Sequence, residues 1–520
     1  MTFFRRLIRT FLLVFSSRLE KRWLWAVKNP KSAQEKVRTQ IAKRAIASQY
    51  GRSFSLKKPD DFRKILPLTD FDSLAPWIDR LAQGESRVLY PGKTLLFEKT
   101  SGSSGKKKLI PYPPLLLRSF TRLFLLWVRN LLQRDPELGK GRLYISISPR
   151  LGLFESTVGG HSIGMQSDAD YLSPSVKRLL APFLVNTDTA KTAKDGATFK
   201  RETARALLST DDLEVISIWN PTFLQVILEF IQNHRSEFLS DLNFVLSDRT
   251  REALREPTLA WTRIWPKLRL ISCWMDGHAD KSALYLAEAF PGVALQGKGL
   301  LATEGPVTLP WEGVQGGIPL LTEIYFEFIA KDGSILELHE LVPGETYSVV
   351  ISTPGGLYRY QLGDEVEVFS FFHATPTLKF KGRGTSVSDL TGEKLSERYL
   401  RQHLAPHLPT TTPFQTFIPV RGKPDCYLLL QESKFALSRA EAARLEDLLC
   451  EAHHYRHARE LGQLGPLLVR NHPQASRLFM EFQARQGLQL GDIKPSLLCV
   501  RPADAPLLKE LNGLNEGALS

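Results

Sequence analysis

The chain is 520 residues long, 43% hydrophobic and 24% charged, enough to bury a large core and to divide into at least two domains. Four scattered cysteines (Cys273, Cys426, Cys450, Cys499) contain no CxxC pair, which speaks against a disulfide framework or a zinc site and favours a reducing, cytoplasmic setting. The net charge of +13 is concentrated: residues 1–50 hold twelve Lys/Arg against two Glu. No nucleic-acid-binding motif accompanies that charge, so nucleic acid is excluded as a partner.

The basic excess lies among Phe3, Phe4, Leu7, Ile8, Phe11, Leu12, Phe15, Leu19 and Trp23, at spacings that predict an amphipathic helix. Two readings stand for it: peripheral contact with an anionic membrane, or packing on its own domain with a solvated basic face. Arg9 interrupts the apolar region, against a signal peptide, and no run reaches transmembrane length.

Residues 1–60 read as helical, and a further short helix runs through Trp77 and Leu81. The apolar run Leu95–Glu98 is strand-like and is followed by Thr100-Ser101-Gly102-Ser103-Ser104-Gly105-Lys106. Glycines that free the backbone, hydroxyl donors and a lysine make an anion cradle, although the spacing is not that of a Walker loop. Alone, such a run also reads as a flexible basic linker. Leu115–Leu132 predicts an apolar helix.

Strands are expected at Arg142–Ser148, Val215–Trp219, Leu268–Trp274 and Val293–Gln296, with helices at Pro221–Phe230 and Ser282–Phe290 between them. That alternation predicts a mainly parallel, covered sheet. From 319 to 381 strands follow one another (Leu320–Phe328, Ile335–Leu338, Tyr347–Ser352, Val366–Phe372, Thr377–Phe380), as in an antiparallel section. Beyond Arg383, Phe414–Ile418 and Tyr427–Leu430 read as strands, and Ser438 with Glu441 as a capping box.

Three later stretches carry chemistry: Gln296–Gly305 with Thr303-Glu304, Gly356–Asp364 followed by Lys381-Gly-Arg383, and Gly491-Asp-Ile-Lys494-Pro495. In order and spacing these and the glycine-serine run resemble the core motifs of the adenylate-forming superfamily. The chain is most similar to the Gretchen Hagen family of auxin-responsive acyl-acid amido synthetases, in particular its bacterial members, over nearly its whole length. Ile218-Trp-Asn-Pro-Thr222 and Asn243–Asp248 join in the resemblance.

The resemblance implies an α/β fold. A large N-terminal adenylate-forming domain with mixed sheets (1–383, opening with the basic helical segment 1–60) precedes a smaller, mobile α+β C-terminal domain (384–520). It implies an ATP-dependent ligase that activates a carboxylic acid as an acyl-adenylate and passes it to an amine or amino acid. An acyl-CoA ligase using the same adenylate, or a catalytically silent nucleotide-binding or membrane-associated protein, are the alternatives. Residues 100–106 (Thr100, Ser101, Gly102, Ser103, Ser104, Gly105 and Lys106) would wrap the β- and γ-phosphates. Glu304 would ligate Mg²⁺, and Thr303 would hydrogen-bond the α-phosphate or acyl oxygen. Asp364 would accept from the ribose hydroxyls, Arg383 would stand beside the ribose, and Lys494 would bridge acyl oxygen and α-phosphate.

One departure is Leu300, where the family has a tyrosine four residues before the glutamate. Gly160-His-Ser162-Ile-Gly164 matches a hydrolase nucleophile elbow, with Ser162 as nucleophile and His278 or His339 as base, but weak strand signal precedes it and polar residues follow. The His453/His454/His457 group lacks a carboxylate at ligand spacing, and Gly297-x-Gly299 lacks the third glycine of a dinucleotide fingerprint.

Overall fold

The strongest periodicities in the sequence become the longest elements of the computed structural model. It describes residues 2–100, 108–145, 156–165, 168–219, 221–241, 243–275, 279–383, 387–391, 393–409, 412–434, 437–460, 462–486, 488, 493 and 496–512. Two compact units divide the chain: the first comprises Met1–Thr100, Lys108–Asp276 and Tyr285–Lys381, the second Ser101–Lys107, Gly277–Leu284 and Gly382–Ser520.

The first unit opens with α1 (Thr2–Lys28) and α2 (Pro30–Ile46), the latter started by a proline whose fixed φ suits a first helical turn. Asp70 caps the helix Phe71–Ala82 through a reciprocal capping box with Ser73. β1 (Leu96–Thr100) and β2 (Lys108–Tyr112) then form an antiparallel hairpin. Pro111 is tolerated in β2 because that strand is an edge. The apolar helix Pro114–Arg134 follows as expected.

β3 (Arg142–Ile145) begins the parallel sheet, and β4 (Ser162–Ile163) returns to pair with β1. β5 (Leu213–Ser217), β6 (Leu270–Cys273) and β7 (Ala294–Gly297) complete the order β3-β5-β6-β7, parallel throughout. Ile216 and Ile271 are register partners on one face of the sheet and pack with Leu207, Leu224, Ile227 and Trp265 from the segments between the strands.

Next come the small hairpin of β8 (Leu301–Ala302) and β9 (Gly305–Pro306), and the pair β10 (Thr308–Leu309) and β11 (Ile318–Pro319). β12 (Tyr325–Ile329), β13 (Ile335–Glu337), β14 (Thr346–Ser352), β15 (Tyr360–Phe372) and β16 (Thr375–Arg383) make an antiparallel sheet ordered β13-β12-β14-β15-β16. Two expectations need correction. The strand expected from Leu320 starts only at Tyr325, because residues 321–323 turn and the Glu323 carboxylate is held by Arg122 from the helix Pro114–Arg134, at 2.6 and 2.8 Å. The strand expected from Val366 begins six residues earlier, at Tyr360, and so contains Asp364.

In the second unit β17 (Val387–Ser388) pairs with β18 (Leu395–Ser396). β19 (Gln415–Val420) and β20 (Cys426–Gln431) are antiparallel, and β21 (Leu468–Asn471) runs parallel to β20. Phe417, Leu429, Leu445 and Tyr455 share its core, and the Ser438/Glu441 capping box forms as expected.

Candidate functional site

Pairing runs from Leu96↔Tyr112 to Thr100↔Lys108, so the glycine-serine run is the connection of the β1–β2 hairpin. Thr100 is the last residue of β1, while Ser101, Gly102, Ser103, Ser104, Gly105 and Lys106 lie outside the described residues. β1 is gripped on its other edge by β4, with the Gly164 N–H donating to the Phe97 carbonyl at 2.8 Å. Phe97 and Glu98 are both buried, and since successive side chains point to opposite faces, Glu98 lies inside on the face away from Phe97.

Ala302 pairs with Gly305, which leaves Thr303 and Glu304 as the two turn residues of the β8–β9 hairpin. The turn is held from β2: the fully buried Tyr112 hydroxyl donates to the Thr303 carbonyl at 2.5 Å. Tyr112 packs beside Phe120 and Tyr171. Burial first, then the negative charges of Glu98 and Glu304, push its phenol well above the ordinary tyrosine value, so it stays a neutral donor. The foot of the glycine-serine hairpin and the Thr-Glu turn thus meet at one ring, although about 200 residues separate them in sequence.

The two carboxylates that meet there, Glu98 and Glu304, are hard oxygen donors of the kind Mg²⁺ accepts. No group of three or more His, Cys, Asp or Glu suited to a metal occurs among the described residues. The donor set fits an ion that completes its shell from phosphate and water.

Asp364 is buried on β15, 3% exposed. The β14–β15 ladder slips there: Ser348 pairs with Glu365 and Val350 with Gln361, and Gly363 takes a φ of +81° to make the irregularity. Asp364 is therefore a bulge residue in a strand and not the end of a turn. Gly305 of the Thr-Glu hairpin lies against Ile351 and Thr353, where a Cβ would come to 3.4 Å from Thr353, and Ile351 pairs with Tyr360. The hairpin thus rests on the β14–β15 pair, four residues from Asp364. Arg383 ends β16, its side chain outside the described residues, as is Lys494 entirely; Ile493 just before it is buried.

Other motif residues turn out to be scaffold. Arg359 is buried at φ +48°, grips Glu327 through two bonds of 3.0 Å and donates to the carbonyls of Arg63 and Leu66. Tyr358 donates to the Leu89 carbonyl and stacks on Tyr50, which makes it a packing residue. Leu300 is buried, its N–H bonded to the Thr308 hydroxyl. Ser162 sits in the two-residue edge strand β4, and among the described residues only a short 3-10 helix, Asp168–Tyr171, lies between it and the α-helix that starts at Pro174, which speaks against the nucleophile-elbow reading. Sequence reasoning passed over Lys298, which is buried just past β7 with its ammonium 2.9 Å from the Ser217 hydroxyl and over the face of Trp219. It stands at the carboxyl ends of the parallel strands, where such sheets take ligands. An apolar cavity lined by Leu12, Leu131, Leu143 and Phe183 opens instead near the starts of β3 and β5.

The GH3 family N-terminal domain matches residues 21–295, and the GH3 family central domain residues 317–383. A probable indole-3-acetic acid-amido synthetase from Oryza sativa subsp. japonica is 23% identical, covering 94% of this chain and 90% of that protein. The jasmonoyl–L-amino acid synthetase JAR6 of Nicotiana attenuata is 25% identical, over 66% of this chain and 67% of that protein. Among solved structures, an acyl acid amido synthetase in complex with 2,4-DB superposes with a TM-score of 0.79 at 20% identity, covering 95% of each chain. A 2-hydroxyisobutyryl-CoA ligase superposes at 0.54 and 12% identity, over 92% of this chain and 90% of that one.

Proposed function

The chain belongs to the GH3 family, and on that premise we propose that it is an ATP-dependent acyl-acid amido synthetase. The observation that carries the reading is the shared phenol: Tyr112 ties the Thr303-Glu304 turn to the strand that leaves the glycine-serine loop. A carboxylic acid attacks the α-phosphorus of ATP, giving acyl-adenylate and pyrophosphate. An amine, by preference an amino acid, then attacks the acyl carbon, releasing AMP and forming an amide.

In the first step two anions must meet, so positioning and positive charge supply most of the rate. Residues 100–106 hold the β- and γ-phosphates by backbone and hydroxyl donors and by Lys106. Glu304, with Glu98 beside the same ring, would hold Mg²⁺, and the ion would supply charge neutralisation at the phosphates. Thr303 donates to the α-phosphate or acyl oxygen. Asp364 accepts from the ribose hydroxyls and Arg383 lies beside the ribose. Lys494 bridges acyl oxygen and α-phosphate as charge grows, delivered by a mobile C-terminal domain of residues 384–520 on a larger domain of residues 1–383. The setting in this reading is cytoplasmic.

A screen of carboxylic acids and amines tests it. Pyrophosphate is expected on adding the right acid with MgATP, and AMP release should then depend on an amine. AMP release that depends on CoA instead would make the enzyme an acyl-CoA ligase, the chemistry of one neighbour of the same fold. Failure of every acid to release pyrophosphate would leave a silent nucleotide-binding protein.

A further inference from the structure

Ile8 and Leu12 of α1 pack against Leu125, Leu172, Leu180 and Phe183, and Trp23 sits 4.4 Å from Trp311. Polar ties lock the same side of the helix: Arg5 to Asp212 at 2.6 Å, Glu20 to Arg129 at 2.6 Å, and Arg9 to the carbonyls of Leu132 and Leu138. The two readings left open by the sequence are therefore not exclusive. The helix packs on its own unit, yet its outward face is not simply basic.

Leu7, Phe11, Val14 and Phe15 are 54, 52, 68 and 57% exposed, and the rings of Phe11 and Phe15 stack at 5.7 Å. Spacings of four, three and one residues put all four on one helical face, directed away from the buried Ile8 and Leu12. Farther along that face stand exposed Arg18, Lys21 and Arg22, then exposed Trp25 with the Lys36 ammonium 4.2 Å over its ring. From Leu7 to Trp25 the stripe is about 27 Å long at 1.5 Å per residue. Among the described residues the buried side of the helix packs without those four apolar side chains, and water is a poor solvent for them side by side on one face.

We propose that this face of α1 docks the enzyme on an anionic lipid bilayer, with Leu7, Phe11, Val14 and Phe15 entering the headgroup–acyl boundary. Arg18, Lys21 and Arg22 meet the lipid phosphates, and Trp25 sits at headgroup level, where aromatic rings with a polar edge are favoured. Charge complementarity selects this occupant over a second copy. In a two-fold pairing the basic band would face either itself or the partner's apolar turn, and both are unfavourable. The helix lies on the surface and does not cross: no described helix is long and apolar enough to span a membrane.

The inference goes beyond the proposed reaction and is independent of it. Its test is cosedimentation of the full chain with vesicles of phosphatidylcholine alone or mixed with phosphatidylglycerol. We expect binding to the mixed vesicles about tenfold or more above the neutral ones, weakened by raising salt toward 0.5 M or so. Phe11→Ser/Phe15→Ser should abolish it with the melting temperature unchanged, and Arg18→Glu/Lys21→Glu should weaken it on anionic vesicles. Val14→Asp, at the most exposed of the four positions, repeats the test should the double variant fold poorly. Absence of vesicle binding, or equal binding by the apolar variants, overturns the proposal. A concentration-dependent dimer in light scattering that Phe11→Ser/Phe15→Ser dissolves overturns it too, assigning the face to a second copy.

Discussion

Two buried groups of charge in the first unit look alike in composition and differ in arrangement. Around Glu327, both Arg63 and Arg359 bond the carboxylate at 3.0 Å, Arg63 also meets Glu337 at 2.9 Å, and Tyr325 closes the set by donating to Glu337. Each ion there is answered by one of opposite sign. Around Tyr112 the group at the centre is a phenol that burial keeps neutral, with the charges of Glu98 and Glu304 bearing on it. The first arrangement is finished by folding and fastens the β12–β14–β15 sheet to the segment Arg63–Leu66. The second sets a neutral phenol, its pKa raised first by burial and then by the charges of Glu98 and Glu304, against the Thr303-Glu304 turn.

The contrast is broken most directly by neutralising one carboxylate in each group. Glu304→Gln should lower acid-dependent ATP–pyrophosphate exchange by about 10²–10³-fold with the melting temperature unchanged; Asp364→Ala should do the same, and retained exchange in either rejects that residue's role. Glu327→Gln should do the opposite, costing about 3–5 kcal/mol in chemical denaturation by leaving the buried Arg359 guanidinium without its carboxylate, with the activity of whatever remains folded unaltered. Lys494→Ala should slow adenylation far more than aminolysis of supplied acyl-adenylate, and equal losses in the two half-reactions would refute its assignment.

Tyr112→Phe sharpens the comparison by removing only a proton donor, at about 1 kcal/mol. Because the folded phenol titrates above its unfolded value, its contribution is complete below about pH 10 and is lost as pH rises through the folded pKa. The variant should therefore flatten the alkaline fall of stability seen in the parent protein. Smallest is the surface pair Arg485–Asp504 of the second unit, 2.9 Å apart. The hydrogen bond from Arg485 chiefly holds the Asp504 carboxyl below its ordinary value. That contribution is present above about pH 4 and lost as pH falls through the lower folded pKa. Solvent screening limits it to roughly 0.5 kcal/mol, so Arg485→Gln should matter at pH 7 and not at pH 2.

Much of this was legible in the residues, for local reasons. Alternating apolar strands and capped helices announced the parallel sheet, and the strand ending at Gln296 announced a loop carrying Thr303-Glu304, whose tight hairpin only the structure shows. Glu98 was not legible as a site residue. It sits in an apolar run, and only the arrival of Tyr112 and the Thr303-Glu304 turn shows that its face of β1 is interior. Arg359 shows the converse: it stands within the Gly356–Asp364 stretch, but its guanidinium is taken up by the Glu327 carboxylate and by carbonyls nearly 300 positions away. The outward apolar stripe of α1 was hidden because spacing alone cannot say which of two hydrophobic faces a domain covers.

The β8–β9 connection has exactly enough residues to reverse direction and none to spare. Such a connection acts as a ruler. Adding or deleting one position would move the carboxylate off the Tyr112 side, since neighbouring strand residues face opposite ways. A one-residue insertion or deletion between Ala302 and Gly305 should therefore displace the Glu304 carboxylate more than any substitution within the turn.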